Sequence, residues 1–357
     1  MSLFFPCSYR VLSLMAGSSA DGVTAALLRY ERRPSGWVYA VLEGRIFEYP
    51  SEWSQILLQS PTLSARHLLE LSIAYTDWTA EIIFRNFRER VYELIAWHPH
   101  TVFHVPAIGL TWSLGDSERL RVKVGCPVVT HFRARDIACG GTGAPLIPNA
   151  DALLLSEYET LLNLGGIANL THLPTGIGYD IAPCNQLLNA LAAQADPRLS
   201  YDPEGTLARQ GHFLPSLAEQ IREHPFFRQS APKALDNERV QKEFIQPFLQ
   251  YPAPPIDKLH TATQLIVELL LQALSEVGAQ RFSCTGGGVY NRFLMELLIS
   301  KAAEQNILYM PSPPELVDYR ESIGFGLLGL LRWLGETNTY GGWTGARGAQ
   351  SSGLLSL

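Results

Sequence analysis

The chain opens its pattern with an apolar run, Val11–Met15, a bend of small and hydroxyl-bearing residues, Ala16–Gly22, and a second apolar run, Val23–Leu28. Two β-favouring runs joined by so small a connection predict a β-hairpin. Over residues 62–97 apolar positions recur at i, i+3 and i+4, the helical period, and the segment closes in a short strand before His98. The strand–bend–strand pattern returns at Tyr158–Pro174, with Gly165 and Gly166 at the bend and Asn169 beyond it. Two such hairpins suggest a duplicated architecture.

Farther along, residues 262–278 form an amphipathic helical pattern that stops at Gly278. The stretch "RFSCTGGGVYN" reads as a short strand, three consecutive glycines and a helix opening near Asn291. A last helix is expected over Ser322–Leu334, ending at Gly335. The tail beyond it is rich in Gly, Ser and Thr and is expected to be loose. Residues 195–260 are rich in prolines and charges and read as an irregular insertion with short helices.

A length of 357 residues favours two domains. A hydrophobic content of 46% with 17% charged residues belongs to a soluble globular protein. The net charge of −6 argues against a nucleic-acid partner, which needs a basic footprint. Arg85, Arg88 and Arg90 are balanced by Glu81, Glu89 and Glu93, as on a solvated helix face. No stretch offers the roughly 20 apolar residues of a spanning helix, and the start lacks a basic n-region, so no membrane association is expected. Five dispersed cysteines without a C-x-x-C pair fit reduced thiols in the cytoplasm.

Three glycine-rich turns each follow an apolar strand: Ala16–Gly22, Gly165–Asn169 and Gly286–Asn291. Glycine lets backbone N–H groups approach phosphate oxygens, yet none of the three matches a P-loop or a clean dinucleotide fingerprint. Asp21, beside Ser18 and Ser19, suits Mg2+ or a phosphate-bound water, or closes an Asx turn. Asp180 ends a short strand and either faces a cleft or caps the helix near Asn185. His98, His100 and His104, with His131 later, leave a metal-dependent hydrolase as a minor reading.

Taken together these segments resemble the 1,6-anhydro-N-acetylmuramic acid kinases of the actin, sugar-kinase and Hsp70-type ATPase superfamily. "MAGSSADGV" stands where that family has M-S-G-T-S-x-D-G, and "HFRARDIACGGTGAPLIP" is similar to its D-F-R-x-R-D-I-A-x-G-G-x-G-A-P-L-V-P. "LNLGGIANL", "YDIAPCNQLLN", "CTGGGVYN" and the late Thr344–Ala346 also align. The resemblance implies an α/β protein of two ribonuclease-H-like (actin/hexokinase-type) domains with a central cleft, one of residues 1–145 with 336–357 and one of residues 146–335. It implies an ATP- and Mg2+-dependent enzyme of peptidoglycan recycling that opens the anhydro ring with water and phosphorylates the amino sugar at O6. A homodimer is also implied.

On the same basis Gly17, Ser18, Ser19, Ala20, Asp21, Gly22, Val23 and Thr24 would bind ATP. Gly165, Gly166, Asn169, Gly286, Gly287, Gly288 and Asn291 would complete the nucleotide site. His98, Thr101, Asp180 and Asn185 would contact the sugar, Asp21 would hold Mg2+, and Arg133 and Asp21 would serve catalysis. The family's general base is the aspartate of D-F-R, and here that position is His131. The family's H-G-Q-T is His98-Pro99-His100-Thr101, and Thr24 replaces an aspartate. Imidazole can accept a proton near neutral pH but supplies no negative charge, so a member with weakened kinase activity is the alternative reading.

Overall fold

The computed structural model describes residues 8–17, 20, 22–231 and 233–357. The strands up to the middle of the chain are β1 (Ser8–Ala16), β2 (Gly22–Arg33), β3 (Gly36–Glu48), β4 (Leu94–His98), β5 (Thr101–Val105), β6 (Leu110–Ser113) and β7 (Val128–Thr130). There follow β8 (Thr160–Leu164), β9 (Ile167–His172), β10 (Ile177–Pro183), β11 (Arg281–Thr285), β12 (Leu308–Tyr309), β13 (Thr339–Tyr340), β14 (Ala349–Gln350) and β15 (Leu354–Ser356). Contacts divide the chain into two units, Met1–Ser156 with Glu321–Leu357, and Glu157–Arg320. The sequence-based boundaries, 145/146 and 335/336, lie some residues away on either side.

In the first unit the sheet order is β3-β2-β1-β4-β7-β15. β1, β2 and β3 form an antiparallel meander, β4 and β7 continue parallel to β1, and β15 closes the edge antiparallel to β7. In the second unit the order is β10-β9-β8-β11-β12, again an antiparallel three-strand meander followed by two parallel strands. Each unit therefore carries the strand order 3-2-1-4-5 of a ribonuclease-H-like sheet, and the two predicted hairpins are the first two strands of each. The parallel strands need crossover connections, supplied by helices such as Ala65–Phe87 before β4 and Pro255–Glu276 before β11.

The core of the first unit joins Leu12, Leu14, Val23, Leu27, Ile95 and Trp97 of the sheet to Tyr75, Ile83 and Phe87 of the helix Ala65–Phe87. In the second, Leu162, Leu164 and Ile181 meet Leu265, Ile266 and Leu270 of the helix Pro255–Glu276. Gly278, at φ 71°, ends that helix in the left-handed conformation glycine tolerates.

Four expectations are revised. β3 was not anticipated; it is an edge strand with few buried positions, so its apolar alternation is faint. The last helix runs Pro314–Trp333, starting eight residues earlier, because proline is tolerated in a first helical turn. Residues 195–260 do form short helices, but they are part of the core rather than an insertion: Leu217, Phe226, Phe244 and Phe248 are buried in the second unit's core. Nor is the tail loose. Asn338 is fully buried and donates to the Leu328 and Ser352 carbonyls, β13 pairs with β14, and β15 extends the first sheet. Small polar residues signalled exposure there, whereas their hydrogen bonds to backbone satisfy them inside. Among the described residues no helix is long and apolar enough to cross a membrane.

Candidate active site

In the first unit, the parallel strands β4 and β7 end at His98 and Thr130, and the chain then turns sharply at His131. His131 adopts φ 51°, ψ 43°, the left-handed region, and leads into the helix Phe132–Ala138. A non-glycine residue there costs on the order of 1 kcal/mol, and histidine is among the types found in it more often. His98, Ser113, His131 and Arg133 line one small cleft. His98 is 5% exposed, packs its ring 4.2 Å from the centroid of Phe325, and leaves a buried Nδ1 with no hydrogen-bond partner among the described residues.

The electrostatics follow from burial. Burial pulls the His131 imidazole below its ordinary pKa, so it is neutral and able to accept a proton near pH 7. His98 is pushed well down by burial and then by the Arg133 charge. The same two causes bring His104 down to about 4, and its Nδ1 lies 3.2 Å from the Thr111 hydroxyl. Thr101 shares a 3.2 Å hydrogen bond with Ser113 across β5 and β6. Arg133 donates to the Gly143 carbonyl at 2.8 Å.

Asp136, one turn along the same helix, was not singled out as a functional residue. Its carboxylate is fully buried and accepts from Gly143 N at 2.8 Å and from the Thr344 hydroxyl at 2.7 Å. Thr142 N donates to the Thr344 carbonyl. The "GGTGAP" loop after the helix is thus clasped to the carboxyl-terminal "TGA", two segments some two hundred residues apart that the sequence aligns with one family but does not bring together.

The first glycine turn is partly visible. Gly22 packs against the Phe47 carbonyl, Val23 and Ala20 are buried, and Thr24 is half-buried on β2. Gly17 follows β1, while Ser18, Ser19 and Asp21 lie outside the described residues. Among the described residues no group of three or more His, Cys, Asp or Glu could hold a metal ion.

The second unit collects the other candidates around the ends of β8 and β11. Gly165 and Gly166 turn the chain from β8 to β9, and their carbonyls accept from Asn185 N and Gln186 N at the start of the helix Asn185–Ala195. Asn185 Nδ2 donates to the Leu164 carbonyl at 2.9 Å, so this residue sits against the glycine turns. Gly286, at φ 83°, and Gly288 are required by space: an added Cβ would lie 2.6 Å from Asn163 Oδ1 and from Leu164 Cβ respectively. Asn291 caps the helix Arg292–Glu304, accepting from Leu294 N at 3.0 Å.

Register aligns Thr285, Asn163, Asn169 and Asp180 in one row across β11, β8, β9 and β10. Directly paired residues point to the same face, so the row is a polar stripe on one side of the sheet. Asn163 and Thr285 in it were not anticipated; their signal was a polar residue within each apolar run. Asp180 does not cap the helix Asn185–Ala195. Its carboxylate accepts from Leu235 N at 2.9 Å.

The family model for anhydro-N-acetylmuramic acid kinase matches residues 9–356. The chain is 30% identical over 381 residues to the anhydro-N-acetylmuramic acid kinase of Synechococcus sp., covering 97% of this chain and 98% of that protein. It is 33% identical over 302 residues to the enzyme of the same name from Neisseria meningitidis serogroup B, covering 80% and 81%. Among solved structures, the activator of the 2-hydroxyisocaproyl-CoA dehydratase from Clostridium difficile with bound ADPNP matches at 10% identity and a TM-score of 0.43, over 90% of this chain and 94% of that one. With a family match over nearly its whole length and relatives aligned from end to end, the chain belongs to the anhydro-N-acetylmuramic acid kinase family.

Proposed function

We propose that the protein is an ATP-dependent phosphotransferase acting on 1,6-anhydro-N-acetylmuramic acid in cell-wall recycling. Water adds its oxygen to the anomeric carbon, the bond from that carbon to the bridging oxygen breaks, and the freed O6 takes the γ-phosphoryl group of ATP. ADP and the 6-phosphosugar leave.

In this reading His131 is the general base: its neutral imidazole takes the proton of the attacking water. The supporting observation is that His131, His98 and Arg133 line a single cleft at the ends of two adjacent parallel strands. Burial keeps the His131 imidazole unprotonated, while the Arg133 guanidinium helps hold His98 neutral and suits an anionic group of substrate. The glycine turns at Gly165 and Gly286–Gly288 would hold the nucleotide. A Cβ on Gly165 would meet Asn163 Nδ2 at 3.4 Å, an ordinary contact, so packing alone does not demand glycine there. Mg2+ enters with ATP and neutralises phosphate charge, with Asp21 as its proposed carboxylate.

The test is direct. The purified protein, given ATP, Mg2+ and 1,6-anhydro-N-acetylmuramic acid, should form ADP and N-acetylmuramic acid 6-phosphate in equal amounts. His131→Ala should lower kcat by about 10²–10⁴, the usual contribution of a positioned base. Absence of phosphosugar from the wild-type protein would overturn the reading.

A further inference from the structure

The edge strand β3 carries a short self-complementary run. Around Gly44 it reads Val41-Leu42-Glu43-Gly44-Arg45-Ile46-Phe47: two apolar residues, an acid, a glycine, a base and two apolar residues. Read backwards, the pattern is the same with the two charges exchanged. Leu42 and Ile46 are large aliphatic side chains, yet they are 43% and 63% exposed. β3 ends the sheet order of the first unit, and β2 is its one partner strand among the described residues. A row of backbone N–H and C=O groups along such an edge is a template for another strand.

Twofold symmetry is what the run fits. When two copies of β3 pair antiparallel about an axis through Gly44, Glu43 of each lies opposite Arg45 of the other, and Leu42 opposite Ile46. An axis perpendicular to the sheet keeps each face on its own side, so opposed residues must share a face. Register on β2 sets Glu43 and Arg45 against Leu27 and Ala25 on one face, and Ile46 against Thr24 on the other. Alternation back from Glu43 puts Leu42 on the face of Ile46. Within one copy Arg45 Nη2 lies 2.9 Å from Glu43 Oε1. A second copy adds the opposite charge across the axis from each, so the four alternate in sign. The register slips at Leu42, between the pairs Leu27–Glu43 and Leu28–Val41. That bulge bends the strand and confines pairing to the residues around Gly44, so the contact is short and dissociates on dilution.

We propose that β3 is a homotypic docking edge, on which a second copy of this chain pairs antiparallel about a twofold axis at Gly44. The surface uses none of the residues of the His98–His131 cleft and does not depend on the kinase reading.

Sedimentation velocity of the purified full-length protein, over a wide range of concentration, should show a monomer–dimer equilibrium. Glu43→Arg or Arg45→Glu alone sets like charges across the axis and should raise the dimer dissociation constant about tenfold or more. Both changes in one chain restore opposite charges and should return it to within about threefold of wild type. Oxidative cross-linking reads the register separately. A mixture of Leu42→Cys and Ile46→Cys proteins should form a disulfide-linked dimer beyond any seen in wild type. Neither variant alone should, because the same position in two copies is offset by four residues, about 14 Å, too far for a disulfide. A monomer at every concentration would overturn the proposal. So would a dimer indifferent to both single charge changes, or a cross-link as strong in either cysteine variant alone as in the mixture. Failure of the double charge variant to recover, at an unchanged melting temperature, would do the same. If the charge variants melt lower than wild type, the cross-link decides by itself.

Discussion

His131 concentrates the chemistry of the site into one side chain. An imidazole whose pKa is lowered by burial acts as a base only while neutral, so the rate should be flat near pH 7.5 and fall with acid through a pKa below 6.5. A carboxylate titrates near ~3.9, so His131→Asp should shift the acid limb of kcat/KM downward and retain more of its neutral-pH rate at pH 5. Coincident acid limbs in the two pH profiles would exclude His131 as the titrating base. The presence of a histidine at this point was legible from a strand running into a polar, glycine-rich segment. Its left-handed backbone and its neutrality were not, since both depend on what surrounds it.

Elements rather than residues explain why the cleft keeps its shape. The helix Phe132–Ala138 carries Arg133 on one turn and Asp136 on the next, and both hold Gly143, one through its carbonyl and the other through its N–H. Asp136 also holds Thr344, so the active-site loop and the tail share one buried anchor. A hydrogen bond to a charged group contributes about 1.5–3 kcal/mol, and Asp136→Ala leaves two inward-facing donors without that acceptor. Urea denaturation should show a loss of about 3 kcal/mol or more for Asp136→Ala and a smaller loss for Asp136→Asn, accompanied by a drop in kcat. A stability change below about 1 kcal/mol would mean that water replaces the carboxylate. Sequence periodicity found the hairpins and the long helices but missed this clasp, because a buried aspartate in a polar stretch has no periodic signature.

For the molecule as a whole, the histidines turn pH into stability. His98 and His100 are almost fully buried with depressed pKa values, and His104 is depressed to about 4. The unfolded chain binds these protons near pH 6.5 and the folded one only below its lowered values. Folding stability should therefore be intact above about pH 6.5 and fall as the pH drops from there toward 4, by about 1.4 kcal/mol per pH unit for each buried histidine kept neutral. Thermal melts from pH 7.5 to 4.5 should show this, and His98→Phe should flatten the slope; an unchanged melting temperature across that range would contradict it. By itself the sequence determined the two hairpins, the long amphipathic helices, the glycine turns and the family, because local periodicity and motif order are written in adjacent residues. The tertiary structure alone decided that the tail is held by strand pairing and by hydrogen bonds to Asn338, that Asp136 joins two distant segments, and that Asp180 accepts from Leu235 N. Each of these depends on which distant atoms meet a residue, and neighbouring letters carry no record of that.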